Sequence, residues 1–270
     1  MKAGLLAGRV AAGAWTPAEL DLKFWYDGVD SPYTSGVLCL EDLSGNDMDM
    51  ALASGTVTAG GETLNGIDTL HFSTFAHFNP KSGHAGASAS AWKFLHYNAV
   101  TTILAVVKFY NTTNPDTFLT LLGTNGTSTS SRGTAIWYED TNPINNQLSL
   151  SITAASGGSF VAKFDDDNFV APNGYRLVLV TLDPGNGTAG SRIRNVRVND
   201  AVSANGTTGT LSESSSDPSS AMALGAANTS GVGELLGGIA EIFAFVGSDS
   251  GEITAAFTYL NDKYNLGLTP

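Results

Sequence analysis

Short apolar runs, many of them alternating with polar residues, recur along the whole chain. A period of two places successive side chains on opposite faces of a strand, whereas a helix requires a period of about 3.6. The pattern therefore predicts strands over residues 22–27, 37–40, 69–73, 101–109, 117–122, 134–138, 147–152, 160–164, 175–182, 192–198, 221–224 and 238–246. Pairs such as Asn65-Gly66 and Pro184-Gly185 lie between the runs and favour tight turns. An all-β fold is expected.

Two runs, 102–109 and 175–182, are apolar almost throughout, which is typical of strands buried on both faces. We expect them at the centre of a sheet. In the run "RIRNVRVND" the apolar positions skip one step at Asn195, which indicates a β-bulge that restores the inward register. Asn199 and Asp200 then predict a tight hairpin.

The end of the chain, "DSGEITAAFTYLNDKYNLG", has helical periodicity. Asp249 and Glu252 have the spacing of a capping box, and Gly267 is expected to stop the helix. Apolar residues at spacings of three and four define one face, namely Ile253, Phe257, Leu260 and Tyr264. That face must be covered, and a β-sandwich offers the surface to do so.

Composition agrees with many turns, because 31 of the 270 residues are glycine and only 14% are charged. The Ser-rich stretch at 212–220 is the best candidate for a domain boundary, but the strand pattern resumes directly after it. It is more simply an exposed loop. We therefore predict an N-terminal arm at residues 1–20 and a single domain over residues 21–270.

The chain carries 13 basic and 25 acidic residues, a formal net charge of −12, which repels phosphate backbones. No apolar run has the length of a membrane-spanning helix, and Arg9 interrupts the apolar start where a secretory leader would need a continuous core. Nucleic acid and membrane are therefore not expected as partners. The single Cys39 lies in an apolar run and is predicted to be a buried, inert thiol.

Several segments together resemble a known fold family. They are "LKFWYDGVD" with the following "DLSGND", then "GIDTLHF", "RVND" and "GGIAEIFAFVGSDSGEITAAFTYLNDKYNL". In order and spacing these segments, which span residues 20–266, resemble the laminin-G-like, concanavalin A-like jelly-roll domains. The resemblance implies two antiparallel sheets packed face to face with a short C-terminal helix. It implies no single activity, because the fold carries lectins, glycosidases, adhesion domains and virion proteins.

The lead-in "WTPAEL" at residues 15–20, together with the short form of the domain, resembles bacteriophage structural proteins. This resemblance implies a non-enzymatic structural or decoration protein of a capsid or tail, displaying a lectin-like jelly roll that aids attachment to host-surface glycans. Residues 1–20 would then bind other virion proteins within a homo-oligomer or larger assembly, made in the host cytoplasm and carried on the virion. The alternative is a stand-alone carbohydrate-binding module assisted by calcium.

Trp137 and Tyr138 precede an Asn-rich segment that contains Asn145 and Asn146. An aromatic face for stacking, combined with amides for hydroxyl groups, is the mixture that a sugar site uses. We therefore predict a carbohydrate site at these four residues. Strand alternation also predicts that one of the two rings is buried.

Three consecutive acidic residues, Asp165, Asp166 and Asp167, could offer hard oxygen ligands to calcium. The alternative interpretation is a solvated acidic hairpin tip. No other cofactor is expected.

The stretch "DLSGND" at residues 42–47 is a second acidic cluster, but it lacks the Gly and Glu that an EF-hand loop needs at its sixth and twelfth positions. It predicts a turn in which Asp42 and Ser44 bond backbone amides and Gly45 or Asn46 takes a positive φ. Solvent would accommodate Asp47 and Asp49.

Catalysis has less support. A glycosidase needs two carboxylates flanking a bond, and the acidic strand residue Glu241 stands alone, so a structural partnership with the terminal helix is the preferred interpretation. The histidines at positions 71, 77, 84 and 96 do not match a zinc spacing. The Gly/Ala/Ser-rich segment between them is interpreted as a long surface loop.

Overall fold

The structure, a computed structural model, describes residues 15–110, 118–125, 132–141, 145–153, 159–163, 174–188, 191–202, 204–208, 211 and 213–270. The strands are β1 (Leu22–Asp27), β2 (Pro32–Ser35), β3 (Val37–Leu40), β4 (Met50–Ser54), β5 (Val57–Leu64), β6 (Ile67–Pro80), β7 (Thr101–Phe109), β8 (Phe118–Gly123), β9 (Gly133–Thr141), β10 (Asn145–Thr153), β11 (Ser159–Lys163), β12 (Arg176–Leu182), β13 (Ile193–Val198), β14 (Ala201–Val202), β15 (Ala204–Thr208), β16 (Ala223–Leu224) and β17 (Leu235–Val246). The helix α1 spans Ser250–Tyr264.

Strand β17 is the centre of the first sheet. Successive parts of one edge of β17 pair with β6 and β1, and β5 lies outside β6. The other edge pairs with β7, beyond which β12, β13 and β14 follow in order. These pairings are antiparallel, and the predicted central strands are confirmed, because β7 and β12 each have a neighbour on both sides.

The second sheet has the order β2-β3-β4-β6-β16-β8-β9-β10-β11-β15 and is also antiparallel. Strand β6 belongs to both sheets: Leu70 pairs with Ile239 in the first, and Phe78 pairs with Leu224 in the second. With the helix after the last strand, this arrangement confirms the predicted jelly-roll sandwich.

Local predictions in the first sheet are also confirmed. The register of β13 against β12 shifts, and Asn195 has a φ of 53°, as a bulge requires. Asn199 takes a φ of 53° in the hairpin from β13 to β14. In the second sheet, Cys39 on β3 is a free thiol with 1% of its surface exposed, as predicted.

Other predictions were incomplete or wrong. β4 and β5 were missed, because "VTAGGETL" contains two glycines and little alternation. The Gly/Ala/Ser-rich segment is not only a surface loop, since it forms 3-10 helices at Ala85–Ala87 and Ala89–Leu95. Trp92 in the second of these is fully buried and donates its indole N–H to the carbonyl of Gly86 at 2.7 Å.

The domain has two apolar cores. The larger lies between the sheets and contains fully buried aromatic side chains such as Phe24, Phe72 and Phe78. The smaller lies between the other face of the first sheet and α1, where Phe243 of β17 packs near Phe257. We call this second surface of the first sheet the helix-covered face. Covering it removes its apolar side chains from water, the main favourable contribution to folding.

Helix α1 begins as predicted and ends earlier than predicted. The carboxylate of Asp249 accepts hydrogen bonds from the amides of Gly251 and Glu252 at 2.8 and 3.2 Å. The expected stop at Gly267 is wrong, because Asn265 already takes the left-handed conformation with a φ of 51°. Asn tolerates that conformation better than most residues, so it replaces glycine at the helix end.

Glu241 anchors the helix to β17 and is fully buried. Its Oε1 accepts hydrogen bonds from the indole of Trp25 at 2.8 Å and the hydroxyl of Tyr259 at 3.2 Å. Its Oε2 accepts from Lys263 Nζ at 2.6 Å and from the hydroxyl of Tyr264 at 3.0 Å. Its interpretation as a structural partner of the helix is confirmed, because these donors occupy both carboxylate oxygens.

Charge holds the same contact together. Burial lowers the pKa of Lys263, but the carboxylates of Glu241 and Asp27 outweigh it, so the pKa lies above its ordinary value. Lys263 therefore remains a cation against the sheet, 3.4 Å from Asp27 as well as 2.6 Å from Glu241.

The turn "DLSGND" closes as predicted around Asp42. The Asp42 carboxylate accepts from the amides of Trp25, Ser44 and Met48 at 2.9, 3.0 and 3.1 Å. Gly45 takes a φ of 80°. The motif is thus a fold marker that ties the turn to the strand before it.

The prediction that solvent accommodates Asp47 and Asp49 is confirmed for Asp47, whose side chain is 58% exposed, and wrong for Asp49. Asp47 Oδ1 lies 2.7 Å from His84 Nδ1. Asp49 accepts from the amide of Asp42 and the hydroxyl of Tyr33, both at 2.9 Å, and its side chain is only 13% exposed. Both carboxylates nevertheless have partners within the protein, a histidine distant in sequence and a strand tyrosine.

The described part of the predicted arm lies on the domain itself. Trp15 packs edge-on against Tyr259 of α1, with ring centroids 5.9 Å apart, and Pro17 is buried. Residues 1–14 lie outside the described residues, so binding of virion proteins by the arm stays a prediction. Among the described residues no helix is long and apolar enough to cross a membrane.

Candidate functional site

The outer face of the second sheet carries polar side chains, whereas the helix-covered face of the first sheet is mainly apolar. Phe78 of β6 and Tyr138 of β9 point into the main core, so the alternate residues His77, Asn79 and Trp137 lie on the outer side. These are polar or amphipathic residue types. A surface with this composition suits recognition better than packing.

Trp137 and Tyr138 divide between the two faces as predicted. Tyr138 is 2% exposed and stacks on Phe109 with ring centroids 5.3 Å apart, so it belongs to the core. Trp137 is half-buried and pairs across the sheet with Thr120 of β8 and Ser149 of β10. Of the two predicted rings, Trp137 is thus the one on the outer face.

The remaining predicted site residues are placed less fully. Asn145 and Asn146 begin β10, and their backbones pair with Thr141 and Asp140 of β9. The predicted calcium ligands Asp165, Asp166 and Asp167 lie outside the described residues. The carbohydrate site at Asn145 and Asn146 and the calcium site at the three aspartates therefore stay predictions.

A compact loop, not predicted as a site, lies on this outer face. It connects β16 to β17 over residues 225–234, and we call it the cover loop. The amide of Leu235 donates to the carbonyl of Gly225 at 2.7 Å, which closes the base of the loop. The amide of Ala227 donates to the carbonyl of Val232 at 2.8 Å within it. Such closed surface loops are frequently functional.

Two strands hold the cover loop. The side chain of Asn79 on β6 donates to the carbonyl of Thr229 at 2.9 Å, and the amide of Thr120 on β8 donates to the carbonyl of Gly233 at 2.9 Å. Thr120 is also the cross-strand partner of Trp137. The cover loop therefore lies between Asn79 and the strand pair that carries the predicted tryptophan. We call the whole surface the loop-covered face.

Several polar atoms at this loop lack hydrogen-bond partners. Among the described residues, buried atoms without a partner include His77 Nε2, Asn79 Oδ1, Asn125 Oδ1 and Asn228 Nδ2. His77 is 4% and Asn228 2% exposed. A buried polar group without a partner costs about 1–3 kcal/mol, and native proteins contain few of them. Their concentration around one loop marks it as a candidate binding site.

Exposed apolar groups flank the same place. Phe75 is 44% exposed and lies two residues before His77, and Val232 in the cover loop is 47% exposed. Aromatic and aliphatic surface beside convergent polar groups is the usual composition of a small-ligand site.

His77 has a defined orientation. Its Nδ1 lies 2.7 Å from Glu234 Oε1, and a carboxylate only accepts, so Nδ1 carries the proton. A Cβ added to Gly231 would lie 3.0 Å from His77 Cε1, so the loop backbone packs directly on the ring. Glycine is required there for that close approach as well as for its φ of 80°.

The other histidines lie elsewhere and contact separate groups. His84 pairs with Asp47, and His71 Nε2 lies 3.8 Å from Glu62 Oε1. Within the described ranges no group of three or more His, Cys, Asp or Glu side chains could hold a metal ion.

His96 is connected to the cover loop through residues 213–220. It is fully buried, its Nε2 lies 3.1 Å from the carbonyl oxygen of Ser216, and its Nδ1 has no partner among the described residues. Ser220 at the end of that segment accepts from the amide of Thr229 at 3.2 Å. Burial lowers the pKa of His96.

A second polar cluster lies on the first sheet around Glu62. Its carboxylate accepts from Tyr110 and, at 3.2 Å, from both Lys108 and Tyr175. Burial and the bond to Glu62 raise the pKa of Tyr110 to about 12. Tyr175 lies so close to Gly238 that an added Cβ would be 2.2 Å from its hydroxyl. Because the members satisfy one another, this cluster is explained as a structural network.

Comparison with known proteins supports the fold. No family model and no curated protein matches the sequence. Among solved structures, Trypanosoma rangeli sialidase in complex with sialic acid has a TM-score of 0.56 and 16% identity over 94% of this chain and 35% of its own. The botulinum neurotoxin serotype D binding domain has a TM-score of 0.54 and 13% identity over 91% of this chain and 52% of its own.

The binding domain of botulinum neurotoxin DC in complex with SialylT has a TM-score of 0.51 and 9% identity, covering 89% of this chain and 52% of its own. The chain thus spans about half the length of the neurotoxin binding domains and about a third of the sialidase. At these identities the likeness shows a shared lectin-like β-sandwich, and the function must be argued from the site.

Proposed function

We propose that this protein is a non-enzymatic, carbohydrate-binding jelly-roll domain that binds glycans at its loop-covered face. The observation that carries the proposal is a set of buried polar atoms beside Trp137 that have no partner among the described residues, on His77 and Asn79 beneath the cover loop and on Asn228 within it. Sugars present hydroxyl groups that both donate and accept, together with apolar C–H faces that stack on aromatic rings. The loop-covered face has groups for both.

The fold neighbours are compatible with this proposal without carrying it. One of them was solved with sialic acid, and others are toxin binding domains. Those ligands and roles belong to those proteins.

A glycan array with the full chain tests the proposal, using the variant Trp137→Ala. We expect binding to a defined subset of glycans. The variant should lose at least about tenfold in affinity, because stacking of a ligand on an aromatic ring contributes about 1–3 kcal/mol. Trp15→Ala is the matched control, since Trp15 packs on Tyr259 on the opposite side of the sandwich. It should lower stability and leave glycan binding unchanged.

Absence of binding to any glycan, with and without a calcium chelator, would contradict the proposal. The chelator arm also tests the predicted calcium ligands Asp165, Asp166 and Asp167. If the variants at Trp137 and Trp15 weaken binding equally, the loop-covered face is not the site.

We further propose that the domain is displayed on a virion as a structural or decoration protein. The supporting observation is orientation: Trp15 joins the domain on the helix-covered face, opposite the loop-covered face, so an attachment through residues 1–20 leaves the glycan face outward. Antibody labelling of purified particles tests this role. A chain that is monomeric and absent from particles would contradict it.

A further inference from the structure

We propose that the ligand of the loop-covered face is an uncharged glycan that donates hydroxyl hydrogens, and that acidic sugars are disfavoured. This inference rests on the proposed function and names its ligand class. It is argued from which atoms lack partners, since the ligand must supply the complementary groups.

The two asparagine side chains can be assigned without ambiguity. The Asn79 nitrogen lies 2.9 Å from the carbonyl oxygen of Thr229, which can only accept, so the oxygen Oδ1 is the atom left without a partner. The Asn228 oxygen accepts from the amide of Ser230 at 2.9 Å, so its nitrogen Nδ2 is the atom left over. Asn79 therefore offers an acceptor and Asn228 a donor.

His77 adds a second acceptor. Because Nδ1 donates to Glu234, the tautomer with its single proton on Nδ1 leaves a lone pair on Nε2. A hydroxyl group satisfies this arrangement, because it can donate to Asn79 or His77 and accept from Asn228. Carboxylate and sulfate groups only accept, so they could use Asn228 alone.

Charge points the same way. Glu234 is bound to His77, and its side chain is 20% exposed, so a negative charge lies at the edge of the site. The formal net charge of the whole chain is −12. An acidic sugar would therefore meet like charge both locally and over the molecule, which is unfavourable for binding and for its approach.

The glycine residues of the cover loop allow it to move and admit a ligand. The buried atoms of His77 and Asn79 lie beneath it and that of Asn228 lies within it, so binding requires the loop to shift. Gly225, Gly231 and Gly233 have φ values of 86, 80 and 66°. Glycine adopts both positive and negative φ at little cost, so residues that can absorb a backbone change lie at both ends and at the tip of the loop. The hydrogen bond between Leu235 and Gly225 would keep the base closed during this movement.

The test uses the full chain on an array in which each neutral oligosaccharide is paired with its sialylated and sulfated forms. We expect signal on neutral glycans and a loss of at least about tenfold, or 1.4 kcal/mol, on their acidic forms. Stronger binding to the acidic forms would overturn this inference and leave the proposed function intact. Absence of binding to every glycan would overturn the proposed function itself.

The variant Asn228→Asp gives a second readout. It keeps the oxygen that accepts from Ser230 and replaces the donor with an acceptor, so affinity for a neutral hit should fall at least about tenfold. Asn186→Asp controls for the added negative charge, because Asn186 Oδ1 likewise accepts from the amide of Thr188 at 3.0 Å, while its Nδ2 donates to Asp183 at 3.2 Å. Equal affinity in Asn228→Asp and wild type would overturn the assignment of Asn228 as a ligand donor.

Discussion

The two outer faces of the sandwich treat buried polar groups in opposite ways. On the helix-covered face, Glu241 is fully buried and has donors on both oxygens from Trp25, Tyr259, Lys263 and Tyr264. On the loop-covered face, His77 is 4% exposed, and one of its nitrogens has no partner among the described residues. Glu241 and His77 are buried to a similar extent, but only Glu241 has hydrogen-bond partners for all of its polar atoms. The polar groups of the first face satisfy one another, whereas the second face retains the hydrogen-bonding capacity that the proposed glycan site would use.

Among the variants that test this contrast, Lys263→Met is expected to have the largest effect on stability. Removal of one partner from a buried ion pair leaves the other charge uncompensated, so we expect the free energy of unfolding to fall by about 3–5 kcal/mol in urea titrations. Lys23→Met is the control, because Lys23 lies 3.8 Å from Asp21 in a pair whose side chains are 31 and 70% exposed. A loss in Lys263→Met no larger than that in the control would remove the claim that charge secures the helix-covered face.

A smaller loss is expected from Gly238→Ala. The added Cβ would overlap Tyr175, whose hydroxyl also bonds Thr69 at 2.7 Å, and overpacking costs about 1–3 kcal/mol. Gly187→Ala should be neutral, since nothing lies within 4 Å of its added Cβ. Thermal unfolding of both variants measures the difference, and equal stabilities would show that the first sheet can relax around Tyr175.

Acid should loosen the loop-covered side before the helix. Burial lowers the pKa of His96; the hydrogen bond to the Ser216 carbonyl and the charge of Asp217 oppose this effect, and the cations Lys93 and Arg132 add to it. The unfolded state therefore binds the proton at a higher pH than the folded state. The His96 contribution is fully present above the unfolded pKa of about 6.5, and it is lost as pH falls from there through the lower pKa of the folded state.

Hydrogen exchange at residues 213–220 should rise below that pH while the amides of α1 stay protected. His96→Gln keeps a donor for Ser216 and does not titrate, so its exchange at 213–220 should depend less on pH. The same pH dependence in both proteins would exclude His96 as the cause.

The smallest stability effect is expected from Asn79→Ala. The change removes the bond to Thr229 and also removes an unsatisfied oxygen, so the free energy of unfolding should change by less than about 1 kcal/mol. Glycan affinity should nevertheless fall. A stability loss comparable to that of Lys263→Met would mean that both faces are structural.

The fold was largely predictable because it depends on patterns within short segments. The apolar runs at 101–109 and 175–182 located the central strands, and Asp249 located the start of the helix. The end of the helix was missed because both Asn265 and Gly267 can adopt positive φ, and sequence does not say which one the tertiary structure uses.

The candidate site was predicted only in part. The division of Trp137 and Tyr138 between two faces could be predicted, because neighbouring residues of one strand point to opposite sides of the sheet. The cover loop was not predicted, since His77, Asn79 and Asn228 are brought together by pairings between β6, β16 and β8 that are distant in sequence.

Strand β6 has a consequence for how the domain comes apart. It is one continuous strand of 14 residues, bonded to β5 and β17 in the first sheet and to β4 and β16 in the second. The two sheets therefore share a backbone segment as well as a core. Neither sheet can separate from the other while β6 stays paired in both. Mechanical load on either sheet passes directly into the other, so a pulling experiment should show a single rupture event for the sandwich.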